Sequence, residues 1–426
     1  MKPDEQNPWW MGEPDEKYEA WRSKPIKWVP KLAEKIPTGT PGLHFLTGPR
    51  QVGKTTLLKI LISEELNKKK DPRALFYCTC DELIDHRELG ETLDNYLAMR
   101  DARKIDHSLI LLDEITLVED WWRAIKARID NGKIARDTVI ISGSASIELL
   151  KEKERFPGRR GAGQDFVLYP LSFQDFAALT VKELITRSLH DLVSAGSSID
   201  AFIAPNRVFA GKLGNLFQDY LTAGGFPTPV QDFLGTRMIR QETKRTFLDW
   251  VRGEVRRAEK SDGFMKEIIA YLLRTRNSPV SWQSITRETS INSPHTVQSY
   301  IEALEQLYIG RILRLIGPDG KIQHRKNKKF HFIDPFVARI LADYTSVQIL
   351  DETLVESTVA MHVARAFPTY YWRNSTEVDV IGLIDGTQVG FEVKWGPARR
   401  RKPIHLKRFF QLVQDTIPTF LASTNW

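Results

Sequence analysis

Cysteine is nearly absent from this chain. Cys78 and Cys80 are the only two in 426 residues, too few for a disulfide framework. A stapled secreted scaffold is therefore excluded, and buried thiols are expected. No stretch approaches the ~18 consecutive apolar residues that a membrane span needs. The start Met1-Lys2-Pro3-Asp4-Glu5 has no apolar segment behind it, so no signal-peptide pattern is present. These absences point to a cytoplasmic protein with no membrane partner. No internal repeat and no low-complexity segment is visible either.

What remains is the composition of ordinary globular domains, with 42% hydrophobic and 27% charged residues. The length exceeds a single core and implies several domains. The net charge is +7, a weak pointer to a polyanionic partner. The placement of the charge says more. Lys321, Arg325, Lys326, Lys328 and Lys329 form one cluster. Arg399, Arg400, Arg401, Lys402, Lys407 and Arg408 form a second, and no acid lies between Glu392 and Asp415.

Residues 1–40 carry Trp9, Trp10, Trp21 and Trp28 among prolines and read as an arm that covers a core. Five short apolar runs follow: Leu43–Leu46, Ala74–Tyr77, Leu109–Leu112, Val139–Ile141 and Phe166–Tyr169. Runs of this kind, separated by helix-length segments, suit strands buried on both faces of a parallel sheet. An α/β domain over 41–205 is expected. Residues 206–260 read as a helical, lid-like segment broken at Gly224-Gly225-Phe226-Pro227, with a basic amphipathic stretch from Thr236 to Lys260. Residues 261–335 read as a winged helix. Ser293-Pro294 starts its recognition helix, and Arg311–Ile316, a turn at Pro318-Asp319-Gly320 and Phe330–Ile333 make its wing. Residues 336–426 read helix, strand, strand, strand, helix, strand.

The run Gly48-Pro49-Arg50-Gln51-Val52-Gly53-Lys54-Thr55 fits the P-loop pattern at every fixed position. It follows an expected strand and opens an apolar helix. Backbone amides of such a loop wrap phosphates, and the helix N-terminus adds positive potential. Lys54 then reaches the β- and γ-phosphates, Thr55 ligates Mg²⁺, and Thr56 completes the nucleotide-binding residues of the loop. ATP and Mg²⁺ are the expected cofactors. The strand Ser108–Leu112 delivers Asp113 to the magnesium shell, and Glu114 is placed to polarise the attacking water. A fourth strand ends at Ser142-Gly143-Ser144-Ala145-Ser146. There Ser144 either touches the γ-phosphate or the water, or belongs to a plain turn.

These stretches resemble a family of archaeal and bacterial AAA-type ATPases that carry a C-terminal domain of the restriction-endonuclease-like fold. The resemblance also rests on Gly158-Arg159-Arg160 followed by Leu168-Tyr169-Pro170-Leu171-Ser172-Phe173, and on Gly224-Gly225-Phe226-Pro227. It implies an AAA-type P-loop core with a parallel sheet, a helical lid, a winged helix and an α/β endonuclease-like tail. It also implies an arginine finger at Arg159 or Arg160. Such a finger commonly acts on a neighbouring subunit's nucleotide, so a homo-oligomer is expected. The order of motor and winged helix is similar to that of bacterial branch-migration motors.

DNA is the expected partner of the C-terminal half. On the recognition helix, His295, Gln298 and Ser299 face outward in the first turns. Lys326, Lys328 and Lys329 of the wing would hold backbone phosphates, with Arg399, Arg400 and Arg401 adding charge further on. A winged helix used for protein contacts is the alternative. In the tail, Glu392 and Lys394 share one face of a strand, and Asp379 lies on the neighbouring strand of the same hairpin. Asp379 and Glu392 could hold Mg²⁺, with Glu356 completing the shell and Lys394 stabilising charge. The 13-residue step from Asp379 to Glu392 looks like that of archaeal Holliday-junction resolvases. A solvated acidic hairpin is the alternative, and DNA binding without cleavage is compatible with the same fold.

Overall fold

In the computed structural model the five apolar runs become β1 Gly42–Thr47, β2 Leu75–Thr79, β3 Leu109–Asp113, β4 Thr138–Ser142 and β5 Asp165–Val167. The structure describes residues 3–143, 155–188, 190–191, 203–395 and 420–422. The chain divides into two compact units, Met1–Tyr169 and Pro170–Trp426.

The first unit is built on one sheet in the order β2-β3-β4-β1-β5, with every pair parallel. β3 and β4 are buried at every position, which is why their sequences show no polar alternation. Helices Lys54–Asn67, His86–Ala102 and Trp121–Asp130 connect the strands. Cys78 and Cys80 are free and buried.

β2 lies at an edge of this sheet, and an edge strand exposes unpaired amides and carbonyls. The Trp-rich arm covers them. The Asn7 side chain accepts from the Tyr77 amide at 2.7 Å and donates to the Tyr77 carbonyl at 2.9 Å, imitating a paired strand. The indoles of Trp9 and Trp10 both donate to the Leu75 carbonyl, at 3.1 and 2.9 Å. Gln6 accepts from the Thr79 amide at 2.6 Å. Trp10 also stacks against Phe76 and Tyr96. The arm is thus part of the first unit's core.

The second unit begins with helices Phe173–Thr180, Ala210–Ala223, Pro227–Thr236, Gln241–Arg257, Asp262–Arg274, Trp282–Arg287 and Pro294–Gln306. Ser293 caps the last of these through the Thr296 amide at 3.4 Å. The hairpin expected as a wing forms, as β6 Gly310–Ile316 and β7 Ile322–Phe332. It is not a free two-stranded wing. β6 also pairs in parallel with β8 Thr369–Arg373. With β9 Glu377–Ile384, β10 Thr387–Val393 and β11 Phe420–Ala422 it makes a six-stranded sheet in the order β11-β10-β9-β8-β6-β7. Helix Asp351–Ala364 supplies Ala360 and Val363 to a core shared with Leu313, Leu315, Tyr371, Val380 and Phe391. Apolar burial on that face joins the wing to the tail.

Two motifs singled out in the sequence meet here. Leu171 of Tyr169-Pro170-Leu171-Ser172-Phe173 donates its amide to the Gly225 carbonyl at 2.7 Å. The Gly225 amide donates to Asp334 at 2.7 Å. A β-carbon on Gly225 would stand 2.1 Å from the Leu171 carbonyl oxygen. That approach requires glycine. Asp334, fully buried and pushed up to about 6 by burial, also accepts from the amides of Phe336 and Val337. The Gly-Gly-Phe-Pro motif is therefore architectural.

Candidate nucleotide site and a buried charge cluster

The glycine-rich loop runs from β1 into helix Lys54–Asn67. Gly48 has φ +144°, and a β-carbon there would lie 2.3 Å from the Leu168 carbonyl oxygen. Pro49 and Val52 are buried, Arg50 is half-buried and Gln51 is exposed at φ +62°. Gly53 caps the helix, and Thr56 is half-buried in its first turn. The Lys54 ammonium is folded into the loop and donates to the carbonyls of Gly48 and Pro49, at 2.9 Å each. A cation inside a loop at a helix N-terminus is the electrostatic setting for phosphate.

Asp113 ends β3 and is nearly fully buried. One of its carboxylate oxygens accepts from the Thr55 hydroxyl at 2.6 Å and from the Tyr77 hydroxyl at 3.0 Å. The other accepts from Ser142. Loop, edge strand and β4 thus converge on one carboxylate. Burial, together with the charge of Asp113, pushes the Tyr77 hydroxyl far above its ordinary value, so Tyr77 stays a donor. Thr55 and Asp113 supply hard oxygen donors side by side, the donor chemistry that Mg²⁺ takes with phosphate oxygens. The residues fit that ion. Glu114 follows in the left-handed region at φ +53° and is half-buried. A non-glycine residue there is uncommon, and such conformations cluster at functional sites.

Lys59 lies one helical turn beyond the loop. Its ammonium stands 3.4 Å from the centre of the Tyr77 ring and 2.8 Å from the Asp15 carboxylate of the arm. Burial lowers its proton affinity, and Asp15 opposes that shift.

Both finger candidates are paired within the first unit. Arg159 is bound to Asp130 at 2.6 Å. Arg160 is bound to Asp165 at 2.6 Å and lies over the Phe45 ring. Ser144 lies outside the described residues. Sequence reasoning missed Ser142, two positions earlier, although a polar residue ending an apolar strand was its signal. It also missed Tyr77, which carried no local signal at all.

In the second unit the expected tail site is different. Lys329, read as a phosphate contact, is 1% exposed. Its ammonium lies 2.8 Å from Glu356, 2.6 Å from Glu377 and 3.7 Å from Asp379. Burial alone would lower its proton affinity, but the three carboxylates hold it above the ordinary value. Burial, opposed by Lys329, pushes Glu356 up to about 7. Asp379 turns its other oxygen to the Val393 amide at 2.9 Å, and Lys394 is bound to Glu392. Of the expected metal shell of Glu356, Asp379 and Glu392, the first two share Lys329 as their counter-ion and Glu392 has Lys394. Among the described residues, no group of three His, Cys, Asp or Glu is placed to hold a metal ion. The physical reason is strand periodicity. Neighbouring lysines of β7 point to opposite faces, so Lys328 stays half-exposed over Trp282 while Lys329 enters the interior.

On the recognition helix His295 is exposed. Gln298 donates to Glu302 at 2.7 Å, and Ser299 is bound by Lys260. Lys326 is exposed. Arg399, Arg400 and Arg401 lie outside the described residues. No helix among the described residues is long and apolar enough to cross a membrane.

Residues 41–177 match a family described as AAA domain, and residues 214–348 match a family described as a domain of unknown function (DUF8612). Neither description names an endonuclease. An uncharacterized protein of Haemophilus influenzae is 23% identical over 235 residues, 53% of this chain and 50% of that protein. The chain thus spans about half the length of the curated relative it matches. Among solved structures, a Walker-type ATPase of Pyrococcus abyssi is 13% identical with a TM-score of 0.44, covering 73% of this chain and 93% of that one. The Aeropyrum pernix ORC2 protein is 13% identical with a TM-score of 0.41, covering 78% and 96%.

Proposed function

We propose that the AAA-type P-loop ATPase domain at residues 41–177 binds ATP with Mg²⁺ and hydrolyses it, and that the second unit binds DNA without cutting it. The observation that carries the first half is the convergence of Lys54, Thr55 and Asp113 at one helix N-terminus. Lys54 would neutralise the β- and γ-phosphates, while Thr55 and Asp113 would hold Mg²⁺. The ion would offset charge that grows on the transferred phosphoryl group. Glu114, one residue beyond Asp113, orients a water and accepts its proton. Arg159, half-buried and bound to Asp130, is our choice for a finger toward a neighbouring subunit.

The second half rests on charge and on Lys329. Exposed Arg325 and Lys326 on β7, with exposed His295 on the recognition helix, offer phosphate contacts. The cluster of Glu356, Glu377 and Asp379 already has its cation in Lys329, which favours binding over metal-dependent cleavage. The test is ATP turnover with and without linear and four-way DNA, run beside a cleavage gel in Mg²⁺ and Mn²⁺. Turnover without cleavage supports the reading. No turnover in any condition, or metal-dependent cutting, overturns the corresponding half.

A further inference from the structure

We infer that Tyr77 is a positioning residue for Asp113, and that the N-terminal arm sets Tyr77 in place; this rests on the nucleotide site proposed above. Among the described residues Asp113 has three side-chain donors. Thr55 belongs to the loop and is the hydroxyl that Mg²⁺ would claim. Tyr77 and Ser142 come from strands on either side of β3. When Thr55 is engaged elsewhere, these two alone fix the rotation of the carboxylate. Partners behind a metal ligand orient it, and their loss commonly weakens metal affinity about 10- to 100-fold.

Tyr77 sits on the edge strand, where nothing in the sheet holds its outer backbone groups. The arm does so instead. Asn7 satisfies both the amide and the carbonyl of Tyr77. Asp15 holds the Lys59 ammonium, which lies 3.4 Å from the centre of the phenol ring. A cation over a ring fixes its plane. Backbone and ring of one tyrosine are thus both set by arm contacts, and its hydroxyl is set on the carboxylate. The juxtaposition Asn7–Tyr77–Asp113 ties the arm to the nucleotide site.

The experiment titrates a fluorescent ATP analogue against the full chain, with and without Mg²⁺. The metal concentration for half-maximal tightening is read for wild type, Tyr77→Phe and Asn7→Ala. Tyr77→Phe keeps the ring over Lys59 and removes only the hydroxyl, and thermal melting checks that each variant is folded. The expected result is a roughly tenfold higher Mg²⁺ requirement in Tyr77→Phe and a smaller rise in Asn7→Ala, with metal-free binding unchanged. A merely structural tyrosine would lower the melting temperature and leave the Mg²⁺ requirement alone. A Mg²⁺ requirement within twofold of wild type in Tyr77→Phe overturns the inference while the nucleotide site stands. A wild-type chain with no Mg²⁺-dependent binding overturns both.

Discussion

The ammonium of Lys329 lies 2.8 Å from the carboxylate of Glu356, with Glu377 and Asp379 beside it. Breaking a buried charge cluster on one side leaves uncompensated charge, at a typical cost of about 3–5 kcal/mol. Lys329→Met should therefore lower the melting temperature strongly. The loss should depend on pH. The Glu356 carboxyl is raised to about 7 from an ordinary value of 4.5. Its raised affinity favours the fold below about pH 4.5, and that contribution is lost as pH rises through about 7. Without Lys329, the carboxylates at pH 8 keep only the half-exposed pairing of Glu377 with Arg373, whereas at pH 5 protonation of Glu356 relieves the repulsion. The melting-temperature loss should be larger at pH 8 than at pH 5. Equal losses at both would show that Lys329 acts by packing alone.

Lys54→Ala should abolish binding or turnover of ATP. Glu114→Gln should retain binding and lose turnover by two orders of magnitude or more, since a positioned base commonly contributes about 10²–10⁴ in rate. Binding and turnover measured on the same preparation check both. Wild-type turnover in Glu114→Gln would remove it from the base role.

DNA affinity should fall with salt, and Lys326→Glu should weaken it across sequences while reducing the salt slope by about one. ATP binding should be unaltered. Affinity titrations at several salt concentrations check this, and an unchanged slope would place the phosphate contacts elsewhere.

Gly225→Ala should destabilise the second unit by about 3 kcal/mol or more, because the new β-carbon would lie 2.1 Å from the Leu171 carbonyl oxygen, which cannot withdraw without losing its neighbouring contacts. A melting curve reads the change. A shift below a degree or two would mean that the backbone gives way at little cost.

Local sequence determined what depends on local rules. Continuous apolar runs specified the parallel strands, since strands covered on both faces carry no polar alternation. The spacing from Gly48 to Thr55 specified the loop, because backbone amides can wrap phosphate only where glycines let the chain turn after a strand and before a helix. The helix start at Ser293-Pro294 was legible for the same reason, a cap and a fixed φ. Tertiary structure decided what depends on partners far along the chain. Tyr77 reaches Asp113 across 36 residues, and Asn7 reaches Tyr77 across 70. The wing became part of a six-stranded sheet because β6 found β8. Lys328 and Lys329 look alike in sequence. The two-residue period of a strand sends one toward solvent and the other into a nest of carboxylates contributed by a helix and a strand that lie later in the chain. A charged side chain is stable in the interior only where opposite charge has been assembled around it, and that assembly is a property of the fold.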